Sequence, residues 1–233
     1  MKREIVLDTE TTGLNPLAGD RIVEIGCIEL VNHIPTGRHF HRYINPERSM
    51  PEDAFKVHGL SDNFLSDKPK YAEIIADFVD FIGDGTLIIH NAAFDIGFLN
   101  AEHTRLSHPV LSNEVIDTVM LARQVHPGAR VSLDALCKHY GIDNSKRTLH
   151  GALLDSEILA DVYLELIGGR QVGLALTTAS AGVMEVEVGG VKLVARQRPV
   201  PLPPRLDAAT REAHAALLAT LKEPLWAYYA ESA

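Results

Sequence analysis

Asp8 and Glu10 stand two residues apart at the end of a short apolar run, Ile5-Val6-Leu7. Side chains alternate along a strand, so both carboxylates point to one face. Two like charges held together cost energy unless something positive lies between them. A hard divalent cation such as Mg²⁺ or Mn²⁺ prefers carboxylate oxygen and answers that need; a turn-capping Asp beside a solvated Glu is the ordinary alternative. Asp95, in His90-Asn91-Ala92-Ala93-Phe94-Asp95, falls at the start of a helical pattern, where a carboxylate also serves as a cap. In His150-Gly151-Ala152-Leu153-Leu154-Asp155, the glycine places His150 in a loop and Asp155 in the first turn of the next helix. Apolar Leu153, Leu154 and Ile158 surround that turn, and an unpaired Asp there calls for a metal or a partner group. A free histidine titrates near pH ~6.5, so His150 can take a proton from water at neutral pH; a structural histidine is the alternative.

The elements that must position these residues follow from pattern. Residues 4–7, 21–31 and 38–44 read as strands and form an N-terminal meander. Residues 71–82 place Ile74, Ile75, Phe78, Val79 and Ile82 at helical spacing, and Gly83 and Gly85 stop that helix. Residues 86–89 form a short buried strand, followed by helical patterns at 95–106, 115–125, 132–140 and 152–167. Strands first, then strand–helix alternation, give an α/β domain with a mixed sheet. The pattern changes at Gly168-Gly169. Beyond it lie a short alternating stretch at 183–194, four prolines within 199–204, a helical pattern at 207–222 and an aromatic end with Leu225, Trp226, Tyr228 and Tyr229.

Composition bounds the function. With 46% hydrophobic residues in 233, disorder throughout is excluded and a sizeable core is affordable. Cys27 and Cys137 are too few for a disulfide framework and read as buried apolar residues. The N-terminus runs straight into a strand, so no signal peptide is expected; no 18-residue apolar stretch exists, and a cytoplasmic protein is expected. Net charge is −9, and residues 1–167 carry 25 of the 31 acidic and 15 of the 22 basic residues. Phosphate-binding proteins are usually basic, so this balance argues against tight nucleic-acid binding unless the acids hold metals.

Taken jointly, the order D-x-E, then D, then H-x-x-x-x-D resembles the DEDDh family of 3′–5′ exonucleases. The surrounding words agree: Leu-Asp-Thr-Glu-Thr-Thr-Gly-Leu (7–14), His-Asn-Ala-Ala-Phe-Asp (90–95) and Leu-His-Gly-Ala-Leu-Leu-Asp (149–155). Within it the chain is similar to the epsilon proofreading subunits of bacterial DNA polymerase III, densely over 4–168 and loosely beyond. Val57-His58-Gly59-Leu60, 132–137 and 142–148 support this. The resemblance implies a ribonuclease-H-like fold, a mixed sheet flanked by helices, and a C-terminal tail containing a helix. It implies two divalent metal ions (Mg²⁺ or Mn²⁺) held by Asp8, Glu10, Asp95 and Asp155, with His150 as general base. It also implies contacts to the DNA 3′ terminus, single-stranded or frayed, from Asp8, Thr9, Glu10, Thr11, Leu14, Asp53, His58 and Asp155. Asp53 stands where related chains can carry Glu, and it can equally open a helix at Ala54-Phe55. Phe94 and Phe98 can stack on a base, though their helical spacing suits a core. Asp117 and Asp134 read as helix caps.

The implied organisation is an exonuclease domain (1–168), a linker (169–204) and a polymerase-binding tail (205–233). Gln171, Leu174 and Leu176 resemble the short motif that enters a sliding-clamp pocket, and a plain linker is the alternative reading. The apolar residues of 205–229 suit docking on the polymerase III alpha subunit, or packing on their own domain. An accessory small subunit on the domain's exposed face is left open. The implied function is removal of mispaired 3′ nucleotides as 5′-mononucleotides. An RNA-trimming or repair exonuclease, and a non-catalytic adaptor between clamp and polymerase, are the rivals. Given the acidity, weak DNA affinity for the isolated chain is expected, with partners supplying effective concentration.

Overall fold

The computed structural model describes residues 2–145, 147, 149–168 and 208–221, and the backbone of 185–188 and 191–194. The chain divides into two units, residues 1–174 and 175–233. The first is a five-stranded sheet in the order β3-β2-β1-β4-β5. Its strands are β1 (Arg3–Thr11), β2 (Ile22–Val31), β3 (Ile34–Tyr43), β4 (Thr86–Ile89) and β5 (Val115–Asp117). β2 runs antiparallel to β1 and β3, while β4 is parallel to β1, and β5 to β4. The helices are α1 (Glu52–His58), α2 (Asp62–Leu65), α3 (Tyr71–Ile82), α4 (Ala92–Arg105), α5 (Thr118–Val125), α6 (Leu133–Tyr140) and α7 (Ala152–Leu166).

β1 is central and buried on both faces, which is why Ile5-Val6-Leu7 is continuously apolar. Ile5 and Leu7 pack with Ile74, Phe78, Phe98 and Leu99 of α3 and α4. Val6 points the other way, into a cluster with Leu136, Ile158, Leu159 and Tyr163 of α6 and α7. Cys27 and Cys137 are buried and free, one in each cluster. The second unit contains a hairpin of β6 (Glu185–Val188) and β7 (Val191–Val194), and helix α8 (Ala208–Thr220). No helix among the described residues is long and apolar enough to cross a membrane.

The mixed sheet flanked by helices matches the expectation, and α3 and β4 occupy the expected residues. Three differences matter for the site. β1 continues past Asp8 to Thr11, because Asp8, Thr9 and Glu10 all find partners on β2. The pattern at 115–125 is not one helix: Val115–Asp117 pairs in parallel with β4 before α5 begins. Three residues are too few to show a period of two, so only the neighbouring strand defines them. α4 starts at Ala92, three residues before the expected position.

Asp117 explains the start of α4. Its carboxylate caps α5, accepting from the Val119 N–H at 2.8 Å. It also accepts from the Asn91 and Ala92 N–H groups at 3.2 and 3.1 Å, holding the first turn of α4. Asp117 is thus a cap, as expected, but for two helices; Asp134 is not one, since the Ser132 hydroxyl caps α6. Asp117→Ala should lower unfolding free energy by about 2 kcal/mol, the upper end for losing a single cap. Urea denaturation measures this, and a loss under about 0.5 kcal/mol contradicts the double role.

Candidate active site

β4 stops at Ile89, level with Leu7, while β1 runs on to Thr11. The end of the sheet is therefore open beside Asp8 and Glu10, and the first turns of α4 and α7 close over it. Asp95 and Asp155 lie in those turns, both buried. Helix N-termini favour negative charge, which helps hold carboxylates there. Thr9, on the strand face opposite Asp8, donates its hydroxyl to Asp95 Oδ1 at 2.7 Å and orients that carboxylate. Carboxylate or imidazole atoms of Glu10, His150 and Asp155 come within 4.8 Å of one another.

Electrostatics show how closely the acids converge. Burial, then the charges of Asp95, Glu10 and Asp155, hold Asp8 well above the usual carboxylate range. Burial pushes Glu10 up to about 8, with Glu24, Asp155 and Asp95 adding to the effect. Burial likewise raises Asp95 to about 7, against the hydrogen bond from Thr9. The Arg147 guanidinium opposes the rise at Asp8 and Glu10. Buried acids that repel one another in this way form a donor set suited to hard divalent cations.

Of the residues expected at the DNA terminus, the structure surrounds the site with some and not others. Thr11 is buried and donates to the Gly13 carbonyl at 2.6 Å. Leu14 is 84% exposed on the following loop. His58 is buried at the end of α1, its Nδ1 accepting from the Leu60 N–H. The His150 N–H donates to the Val57 carbonyl at 3.1 Å, which joins that end of α1 to the site. Asp53 lies in the first turn of α1 with its carboxylate in solvent, 3.9 Å from Lys56. Phe98 is core, and Phe94 is half-buried against it. Gln171, Leu174 and Leu176, the prolines of 199–204 and the aromatic end at 225–229 lie outside the described residues.

Three residues went unrecognised in the sequence. Glu24 is buried on β2 directly across from Glu10, with His41 Nε2 2.8 Å from its Oε1. Arg147 grips Asp155 through two hydrogen bonds, Nε to Oδ1 at 2.5 Å and Nη2 to Oδ2 at 2.8 Å. It is the partner group that the apolar setting of Asp155 called for. Gly26 lies opposite Asp8, and a Cβ there meets the Ala152 and Leu153 backbone at 2.3 Å. The Ser156 hydroxyl also donates to the Gly26 carbonyl at 2.9 Å. Glycine inside a strand signals close backbone approach, and that was the available clue.

Gly26→Ala must push α7 off β2, since backbone cannot yield as a flexible side chain does. It should cost about 1–3 kcal/mol in stability. The displaced Asp155 should weaken divalent-cation binding as well. Calorimetric titration with Mn²⁺ and a urea melt check both, and wild-type values in the two assays contradict the packing argument.

Comparison with known proteins bears on the family and the fold. The exonuclease (RNase_T) family matches residues 5–163. The DNA polymerase III subunit epsilon of Rickettsia prowazekii is 60% identical over 174 residues, covering 72% of this chain and 76% of that protein. The Escherichia coli K12 protein of that name is 52% identical over 176 residues, covering 72% of each. Among solved structures, the nuclease domain of 3′hExo, a DEDDh family member bound to rAMP, superposes with a TM-score of 0.63 at 17% identity. That match covers 71% of this chain and 92% of that one, and it bears on the fold. With most of its first unit matched and its acids and histidine gathered at the sheet end, the chain belongs to the exonuclease family, in the branch of the DNA polymerase III epsilon subunits.

Proposed function

We propose that Asp8, Glu10, Asp95, His150 and Asp155 form the hydrolytic site of a proofreading 3′–5′ exonuclease within the polymerase III holoenzyme. The observation that carries this is their convergence from β1, α4 and α7 onto one end of the sheet. Family membership implies divalent-metal use. The finer reading is two ions, Mg²⁺ or Mn²⁺, held by the four carboxylates, whose combined −4 charge two such ions balance. When bound, they supply positive charge that activates the attacking water and stabilises the phosphorus centre and the leaving 3′ oxygen. His150, half in solvent at the mouth of the site, accepts the water's proton. Thr9 keeps Asp95 aimed, and Glu24 maintains negative potential behind Glu10. Product is a 5′-mononucleotide.

Thr11 and His58, close to the site, and exposed Leu14 and Asp53 on the adjoining loop and α1, are read as the contacts to the terminal nucleotide. A mispaired end frays, so its strand enters at lower cost than a paired one. Gln171, Leu174 and Leu176 bind the sliding clamp, and 205–233 docks on the alpha subunit. The exposed Leu217 and Leu221 at the end of α8 support an outside partner for that segment. Residues 1–168, 169–204 and 205–233 then serve as catalytic domain, clamp-binding linker and polymerase-binding tail of a cytoplasmic replisome component.

Replacing Asp8 and Glu10 together by Ala should reduce Mg²⁺-dependent degradation of single-stranded DNA at least about a hundredfold. Unchanged degradation contradicts the site. The same assay on mispaired primers and on short RNA should favour the DNA; a large RNA preference would instead select the RNA-trimming reading.

Stability should depend on pH through the same acids. Glu10 at about 8 and Asp95 at about 7 lie above their unfolded values of 4.5 and 3.8. Between those limits the folded chain binds more protons than the unfolded one, so stability falls as pH rises. Thermal melts in chelator should show a falling Tm from about pH 5 to about pH 8. Excess Mg²⁺ binds the ionised acids and should raise Tm more at pH 8 than at pH 6. A Tm in chelator that climbs across this window contradicts the arrangement.

A further inference from the structure

Arg147 lies between α6 and α7, and its side chain is only 9% exposed. Its guanidinium makes four contacts. Two are the paired bonds to both oxygens of Asp155. The third runs from Nη1 to Asp134 Oδ1 on α6 at 2.8 Å, and the fourth from Nη2 to His150 Nδ1 at 2.9 Å. A guanidinium only donates hydrogen bonds. His150 Nδ1 must therefore be the acceptor, and in the neutral ring the proton sits on Nε2. That ring then has no free lone pair with which to take a proton from water. One cation thus occupies both the Asp155 oxygens and the basic nitrogen of His150.

A divalent ion on Asp155 needs an oxygen that the guanidinium fork already holds. Even through the remaining lone pairs, a +2 ion and a +1 guanidinium would meet across one carboxylate in a partly buried site, where repulsion is weakly screened. We propose that Arg147 is a latch on the site: it competes with the divalent ion for Asp155, and its departure on ion binding is what frees His150 to act as base. Asp134, 63% exposed on its side chain, gives the released guanidinium a partner at the rim. The proposal rests on reading Asp155 as a metal ligand and His150 as the base.

Two measurements on the full chain test it. Calorimetric titration with Mn²⁺ should show Arg147→Gln binding the ion on the order of tenfold more tightly than wild type, since a competing charge is gone. Arg147→Lys, which keeps the charge without the fork, should fall between them. In wild type, ¹⁵N spectra of the His150 ring should show the Nε2–H tautomer in chelator. The Nδ1 resonance should shift as Mg²⁺ is added, and a resonance that stays unchanged while the ion binds overturns the release of His150. If Mn²⁺ binds wild type and Arg147→Gln equally, or the variant more weakly, the latch is overturned while the metal site stands. If wild type binds no Mn²⁺, the metal-site reading fails and the latch fails with it. Because that shift is read in the unaltered protein, a poorly folding variant does not shield the proposal.

Discussion

Repulsion among buried carboxylates is the constraint that organises this protein. Asp8, Glu10, Asp95 and Asp155 share one sheet end, and Glu24 adds a fifth charge behind Glu10. Holding them there opposes folding, so the rest of the domain must supply enough burial and enough counter-charge to sustain it. The two apolar clusters on the faces of β1 supply the first. Arg147 supplies part of the second, and in the proposed function divalent ions supply the remainder. There, the same crowding that penalises the acids makes the site attractive to hard cations.

Placement of the acids depends on backbone devices away from the chemistry. β1 outruns β4, which leaves a ledge at the sheet end. Asp117, at the tip of β5, ties down the first turn of α4 and so sets the height of Asp95. Gly26 lets α7 rest directly on β2, which brings Asp155 level with Asp8. Asp117 and Gly26 act on the backbone that carries Asp95 and Asp155, so altering either is expected to shift those carboxylates. The site acids Asp8, Glu10, Asp95 and Asp155, with Glu24 beside them, are five of the 25 acidic residues of 1–167, so part of the acidity that seemed to disfavour a nucleic-acid enzyme is concentrated at this site.

Legibility in the sequence followed the range of the forces involved. α3 and β4 were readable because their periodicity and the intervening glycines act within a few residues. β5 was read as helix because its strand character comes from pairing with β4, about thirty residues earlier in the chain. The early start of α4 was missed for the same reason, since its capping carboxylate belongs to another element. Asp8, Glu10, Asp95, His150 and Asp155 were singled out by their joint resemblance to a family motif, since each alone has an ordinary reading. Glu24, Gly26 and Arg147 were not, because an isolated Glu, Gly or Arg acquires meaning only from what faces it.

By itself, the sequence determined the α/β class and the family and singled out the five residues proposed for the site, because local patterning and motif order are one-dimensional properties. Tertiary structure alone decided how those residues meet. It set Thr9 against Asp95, Glu24 behind Glu10, and Arg147 across both Asp155 and His150. Such contacts depend on distances of a few ångströms between segments far apart in the chain, and chain order carries no record of them.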